Sequence, residues 1–210
     1  MELILNYFPE LSKEQKDSLQ QLKQLYETQN ALVNVISRKD IDALYLHHVL
    51  HSLTITKFIQ LNAQCKLLDL GTGGGFPAIP LAIYYPDISF TAIDGTGKKI
   101  KVANQIAEAL NLKNIKFLHL RAEEYKENVN FVVSRAVCSL DQLCNYSKSI
   151  LKKQSITALP NGVIAYKGGD LNEELKAIKN KAYYEIWDIY DLFPEAYFLE
   201  KKLVYLQLHE

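Results

Sequence analysis

The sequence has few cysteines and no long apolar stretch. Its three cysteines, Cys65, Cys138 and Cys144, are too few and too widely spaced for a disulfide framework or a zinc site. No apolar run approaches the roughly 20 residues that a membrane-spanning helix needs. The N-terminal MELILNYFPE lacks the basic and apolar regions of a secretory signal. We therefore expect a protein of the reducing cytoplasm that binds no metal and contacts no membrane.

The chain also lacks a net charge. It has 24 basic and 24 acidic residues, which argues against a broadly basic surface for nucleic acid. The charges are unevenly spaced, however, because no acid occurs between Asp141 and Asp170. That interval contains four lysines, Lys148, Lys152, Lys153 and Lys167. We expect a local basic rim, which suits a structured RNA better than indiscriminate phosphate binding.

A glycine-rich turn follows a buried strand in the stretch LLDLGTGGGFPAIP, residues 67–80. A dinucleotide fingerprint is excluded because Phe76 stands where its third glycine belongs, and no G-K-[ST] follows to make a phosphate loop. The remaining pattern resembles the S-adenosylmethionine (SAM) loop of Rossmann-like methyltransferases, and consists of Asp69, Gly71, Gly73 and Gly75. An acid at this strand end suits the positively charged methionine end of SAM. The alternative is a glycine-rich connector in another α/β domain.

Asp94 ends the next predicted strand, Ser89–Ile93. An acid at this position accepts hydrogen bonds from both ribose hydroxyls of a nucleoside, in NAD or in SAM. It also has the right place to cap the helix that starts near Thr96, and both roles are compatible. Asp94 therefore supports an adenosine ligand without choosing between cofactors.

Alternating strand and helix patterns predict the fold. Strands are expected at 66–70, 89–93, 115–120, 130–134 and 161–166, and helices near 77–85, 96–111, 139–152 and 171–181. This alternation is typical of a parallel sheet with helices on both faces. Two further β-rich runs, 183–190 and 202–208, predict a closing hairpin at the sheet edge. The prediction is an α/β, Rossmann-like class I SAM-dependent methyltransferase fold with a seven-stranded, mostly parallel sheet.

Two helices are predicted before the first strand. Residues 12–29 begin with the capping-box spacing of Ser12 and Gln15, and a second helix runs from Ile41 to Leu53 after a polar break. We interpret residues 1–65 as an N-terminal helical cap and 66–210 as the SAM-dependent methyltransferase domain. No linker rich in Gly, Pro or Ser separates them, so we expect one compact unit. Nothing in the sequence demands a dimer, and we expect a monomer.

The strand ends indicate which chemistry is present. After the third strand, Ala122 and Glu123 have backbone amides that suit an adenine edge, although a plain turn explains them equally well. The fourth strand ends at Arg135, without the N-P-P-Y motif of amine methyltransferases or the Pro-Cys of pyrimidine-carbon enzymes. Cys138 has no such proline and is interpreted as a packed thiol. A surface salt bridge is the alternative role for Arg135.

An arginine cannot act as a general base, and we predict no general base in this site. Arg135 is interpreted as a positioning residue. A ring nitrogen with a free lone pair needs no base. Guanine N7 is such an atom, beside the O6 acceptor. Its methylation releases no proton and depends on alignment and desolvation.

Six segments together resemble the bacterial ribosomal small-subunit methyltransferase G family, also called glucose-inhibited division protein B. They are NVISRKD…HHVLHS at 34–52, GTGGGFPAIP, IDGTGKK at 93–99, RAEEY at 121–125, VSRAV at 133–137 and YKGG at 166–169. The resemblance covers essentially the whole chain in order. It implies SAM-dependent methylation of N7 of one guanosine in the decoding-region loop of 16S rRNA, within the small ribosomal subunit.

The resemblance also implies roles for individual residues. The family's cofactor positions fall on Gly71, Phe76, Ala122, Glu123 and Arg135. Positions expected to contact substrate RNA are Asn34, His48, Arg121, Lys167 and Lys201. The chain departs from commoner members at His47 and His51, where they have arginine and aspartate, and near Lys201, where they have arginine. A lysine there loses a bidentate phosphate contact, which affects RNA contacts and not the reaction.

Three alternative functions predict different outcomes. A methyltransferase acting on a small molecule or a protein would put the methyl group outside RNA. An NAD-dependent oxidoreductase is disfavoured by Phe76, and a thermal-shift comparison of SAM with NAD separates the two. A non-catalytic RNA-binding protein with this fold would bind RNA without turnover.

Overall fold

The computed structural model describes residues 1–30, 33 and 35–209. Its strands are β1 (Lys66–Leu70), β2 (Ser89–Asp94), β3 (Ile115–His119), β4 (Phe131–Arg135), β5 (Gly162–Gly168), β6 (Ala182–Asp188) and β7 (Lys201–Leu208). They form one seven-stranded sheet in the order β3-β2-β1-β4-β5-β7-β6. Strands β1 to β5 are parallel, and β7 is antiparallel to both of its neighbours. The predicted mostly parallel α/β sheet is confirmed.

Helices cover both faces of this sheet. They are α1 (Glu2–Tyr7), α2 (Lys13–Asn30), α3 (Arg38–Asp42), α4 (His51–Leu53), α5 (Ala78–Tyr84), α6 (Gly97–Ala109), α7 (Leu140–Ser147) and α8 (Asn172–Ile178). Single 3₁₀ turns span Thr54–Lys57, Ala122–Glu124, Ile189–Asp191 and Ala196–Phe198. In the described part of the chain, none of the helices is both long enough and apolar enough to cross a bilayer.

Alternate residues of each strand enter different cores, as the pleat requires. On β4, Phe131 and Val133 point into a core that also contains the N-terminal helices, α5 and α6, whereas Val132 points into the core beneath α7 and α8. On β1, Leu67 and Leu68 divide in the same way. Burying each such side chain stabilises the fold by about 1.5–3 kcal/mol.

The N-terminal segment shares its core with the sheet. The phenol of Tyr166 on β5 donates to the carbonyl of Ser52 at 2.6 Å, and Gln15 Nε2 donates to the carbonyl of Tyr84 at 2.9 Å. The predicted capping box is present, since Ser12 N donates to Gln15 Oε1 at 2.8 Å and Gln15 N to Ser12 Oγ at 3.2 Å. The division at residue 65 stays a prediction.

The structure differs from the predicted elements in two places. The helix expected over Ile41–Leu53 is broken, because a π-helical turn at Tyr45–Leu50 lies between α3 and α4. Helix α7 ends at Ser147, and its neighbour Leu151 instead makes a parallel bridge with Val129. The predicted closing hairpin is confirmed, since β6 and β7 pair antiparallel at the sheet edge, with β7 next to β5 and β6 outermost.

Candidate functional site

The turn after β1 is joined to the end of β2. The amides of Gly71 and Thr72 both donate to the carbonyl of Ile93 at 2.9 Å. Gly71 and Gly73 have positive φ, at 76° and 57°, which favours glycine. The amide of Gly73 donates to Asp94 Oδ2 at 3.0 Å. The two strand ends therefore form one floor beside the point between β1 and β4 where the strand order reverses, which is where α/β folds bind ligands.

Asp94 holds this floor from the second strand. Its Oδ1 accepts a 2.7 Å hydrogen bond from the amide of Thr96, just before α6, while its Oδ2 accepts from Gly73. The N-cap of α6 is Thr96, so Asp94 is not the predicted helix cap but bonds the amide of the cap residue. The half-buried carboxylate also lines a cavity. Each carboxylate oxygen has two acceptor sites, so Asp94 retains capacity for two further donors.

Asp69 has a different environment. Its side chain is completely buried, and its Oδ2 accepts a 3.1 Å hydrogen bond from the amide of Ala78 at the start of α5. Burial raises the pKa of this carboxyl to about 7, and hydrogen bonds oppose the shift only in part. The sequence-based idea that Asp69 faces the positive end of a ligand needs correction, because Asp69 is not among the residues that line the cavity. Gly75 does not line it either.

The cavity lies at the carboxyl ends of β1, β2, β3 and β4 and has a volume of about 840 Å³. This is within the range of small-molecule sites, about 300–1,000 Å³. Predicted site residues that line it are Gly71, Gly73, Phe76, Asp94, Arg121, Ala122, Glu123, Arg135 and His48. A Cβ placed on Gly73 would meet no atom within 4 Å, so the backbone is open to a ligand there.

Arg135 lies at the end of β4. Its Nη1 donates to the carbonyl of His47 at 3.1 Å, and its Nη2 lies 2.8 Å from Nδ1 of His48. The guanidinium carbon is 5.4 Å from the centre of the Phe76 ring. Burial lowers the pKa of Arg135. Among the described residues Arg135 has no carboxylate within ion-pair distance, so the salt-bridge alternative is not what the structure shows.

The contact with Arg135 determines the tautomer of His48. Arginine only donates, so Nδ1 of His48 is the acceptor and Nε2 carries the proton. Burial and the adjacent Arg135 lower the pKa of His48 to about 4. Its Nε2 is buried and has no partner in the described part of the chain. His48 is therefore neutral near pH 7, and neither nitrogen is available as a base.

Aromatic packing supports the cavity from the N-terminal helices. Phe76 is buried and stacks on Tyr26 of α2, with ring centres 4.8 Å apart. The Tyr26 hydroxyl donates to the carbonyl of Gly74 at 2.7 Å. The sequence predicted a helix over residues 12–29 but gave Tyr26 no role in the site. Its contact with the glycine turn depends on how α2 docks, and the helical period carries no signal for it.

The end of β3 supplies another wall. Ala122 and Glu123 begin a 3₁₀ turn, and the amide of Arg121 donates to Glu124 Oε2 at 2.6 Å. Arg121 and Glu123 are exposed at the cavity edge, so all three residues of this predicted segment meet at one place. Lys99 of α6 also lines the cavity and belongs to the IDGTGKK segment, although it was given no site role, while Gln142 and Tyr146 of α7 line it from outside any motif.

The residues predicted to contact RNA are in different surroundings. Lys167 is an internal ion-pair partner, since its Nζ lies 2.7 Å from Glu174 Oε2. Lys201 lies over the ring of Tyr197, 5.5 Å from its centre. Asn34 lies outside the described residues. The RNA roles of these side chains stay predictions. No group of three or more His, Cys, Asp or Glu suited to a metal occurs within the described ranges.

Solved structures share this fold. A SAM-dependent methyltransferase from Aquifex aeolicus superposes with a TM-score of 0.57 at 15% identity, covering 78% of this chain and 92% of that one. A predicted O-methyltransferase from Agrobacterium tumefaciens has a TM-score of 0.60 at 15% identity, covering 76% and 81%. At such identities the likeness shows the fold alone. The protein has the Rossmann-like methyltransferase fold, with its cavity at the switch in strand order.

Sequence comparison narrows this class. The family model for rRNA small subunit methyltransferase G matches residues 15–189. The ribosomal RNA small subunit methyltransferase G of Porphyromonas gingivalis is 50% identical over 208 residues, which is 99% of this chain and 93% of that protein. The chain belongs to the rRNA small subunit methyltransferase G family.

Proposed function

We propose that this protein transfers a methyl group from SAM to N7 of a guanosine in the decoding-region loop of 16S rRNA. The observation that carries the proposal is the cavity, which joins the glycine turn, Asp94, Ala122 and Arg135 in a chain of this family. We further propose that it acts as a monomer in the cytoplasm, where it would meet the small ribosomal subunit.

The residues present fit SAM. The open backbone at Gly73 admits close approach of a ligand, and the Asp94 carboxylate has free acceptor positions for two ribose hydroxyls. Ala122 and Glu123 would present their turn to the adenine edge. The buried Asp69 acts indirectly, by bonding the start of α5 and so shaping the turn.

The side chains beside the cavity favour a reaction without a base. When bound, SAM supplies a methyl group on a sulfonium; guanine N7 forms the new N–C bond as the C–S bond breaks, and no proton leaves. His48 cannot accept a proton at Nε2, and Arg135 remains a cation. We infer that Arg135 orients the purine by donating to an acceptor such as O6, and leaves N7 free.

Arg135 is well suited to that positioning role. Two of its nitrogens are already bonded to the His47 carbonyl and to His48, so the guanidinium is held before substrate arrives. A preorganised donor costs little reorganisation during the reaction. Because His47 and His48 belong to the N-terminal helices, those helices are part of the site and not only a cover.

The direct test is methylation of unmodified 30S subunits with SAM labelled in its methyl group. We expect label in 7-methylguanosine of 16S rRNA, identified by nucleoside mass spectrometry. Label in protein or in small molecules, with none in guanosine, would overturn the proposal. Assays with naked 16S rRNA, a precursor and the assembled subunit would identify which form is the substrate.

A further inference from the structure

The segment between β4 and α7 forms one side of the cavity. Ala136, Val137 and Cys138, here called the rim loop, all line it. Ala136 has a φ of 56°, which is uncommon for a residue with a Cβ and strains the backbone. A Cβ on Gly71 would lie 2.3 Å from Cγ2 of Val137, so the rim loop packs directly on the glycine turn.

An ion pair between Lys167 and Glu174, both largely buried, holds this rim loop in place. Nζ of Lys167 donates to the carbonyl of Cys138 at 2.8 Å and to Glu174 Oε2 at 2.7 Å. The same carboxylate oxygen accepts a 2.7 Å hydrogen bond from the amide of Leu140, the first residue of α7. The pair therefore bonds to the chain on both sides of Ser139, immediately after the rim loop.

The surroundings of Lys167 argue against a phosphate-binding role. Its side chain is only 13% exposed, and its ammonium is already bonded to a carboxylate and a carbonyl. Binding a phosphate would require breaking the charge-assisted hydrogen bond to Glu174. A strained loop persists only where its surroundings fix its conformation. The three hydrogen bonds of Lys167 and Glu174 provide such surroundings for the rim loop.

We propose that Glu174 and Lys167 are positioning residues for the cofactor cavity, acting through the rim loop. The carboxylate of Glu174 fixes the ammonium of Lys167 and the first turn of α7, and together they hold Cys138, Val137 and Ala136 against the glycine turn. The inference rests on the proposed function only in taking SAM as the ligand. In this proposal Lys167 contacts Glu174 and the Cys138 carbonyl within the protein, and not the substrate RNA as the sequence predicted.

The test compares Glu174→Gln, Lys167→Met and the double variant by calorimetric titration with SAM. We expect each single variant to weaken SAM binding about tenfold, and the double variant to be no worse than either, because both changes release the same loop. The affinity for RNA should keep its salt dependence in Lys167→Met, since no phosphate contact is lost. The matched control is Glu173→Gln, whose side chain is 87% exposed and pairs with Lys176.

Several outcomes would overturn the inference. Unchanged SAM affinity in both single variants would show that the ion pair does not position the cavity. A fall of about one in the salt slope of RNA binding for Lys167→Met would assign Lys167 to a phosphate contact instead. If Glu174→Gln does not fold, Glu174→Asp keeps the charge, shortens the side chain and serves the same comparison. A wild-type protein that binds SAM but does not methylate rRNA would refute the proposed function and leave this inference intact.

Discussion

The carboxyl ends of β1 and β2 lie side by side. Asp69 is the penultimate residue of β1, and Asp94 is the last residue of β2. Asp69 is fully buried and bonds the amide of Ala78, whereas Asp94 is half-buried at the cavity and bonds the amides of Gly73 and Thr96. The first shapes the turn from inside, and the second presents acceptors to a ligand. Depth, and not residue type, separates the two roles.

The largest effect is expected at Asp94, the member of this pair that lines the cavity. Asp94→Ala should weaken SAM binding about 100- to 1,000-fold, because two charge-assisted hydrogen bonds to the ribose are lost. Isothermal titration with SAM measures it, and Asp87→Ala in the exposed turn before β2 is the control. An affinity within threefold of wild type, roughly 0.7 kcal/mol, would contradict the ribose role.

The buried member should affect pH dependence. The pKa of Asp69 is raised to about 7 in the fold, so the folded state binds more protons than the unfolded state between about pH 4 and 7. The free energy of unfolding therefore falls as pH rises through this window and is level above it. Asp69→Asn should remove a contribution on the order of 3 kcal/mol between the ends of the window.

Urea denaturation at pH 4, 5, 6, 7 and 8 measures this contribution as the difference between wild type and Asp69→Asn. The asparagine Oδ1 still accepts from the amide of Ala78, so the helix start keeps its bond. Parallel stability curves for the two proteins across the window would show that Asp69 is ionised in the fold, contrary to its burial.

The glycine turn itself should be sensitive where it faces the cavity. A methyl group in Gly73→Ala would enter open space at the ligand, and we expect about a tenfold loss of SAM affinity. Gly169→Ala is a matched control, since Gly169 also has positive φ and open space but does not line the cavity. Equal SAM affinity in the two variants would mean that the turn does not contact the cofactor.

The smallest effect is expected beneath the turn. Tyr26→Phe removes the hydrogen bond to the carbonyl of Gly74 and leaves that carbonyl unpaired. We expect the free energy of unfolding to fall by about 1–2 kcal/mol. Thermal or urea unfolding measures the stability, and SAM affinity should change less than in Gly73→Ala. Tyr183→Phe, at an exposed tyrosine on β6, is the control. An unaltered stability would remove Tyr26 from the support of the turn.

Much of the site was predictable, because local sequence patterns place particular residues at strand ends. The strand–turn–helix around Gly71 and the acid Asp94 meet at one cavity, since the carboxyl ends of parallel strands share an edge. Tyr26, Gln142 and Tyr146 were not predicted as site residues. Each comes from a helix whose docking angle is not encoded in its own apolar spacing.

The sequence by itself determined the alternation of strands and helices, the glycine turn and the residues at the strand ends, because these follow from short-range preferences for backbone shape and burial. Only the tertiary structure decided that Asp69 is buried while Asp94 faces the cavity, that Arg135 makes His48 a neutral donor, and that Lys167 is bonded to Glu174. Those outcomes depend on desolvation and on partners far apart in the chain, and no local pattern specifies either.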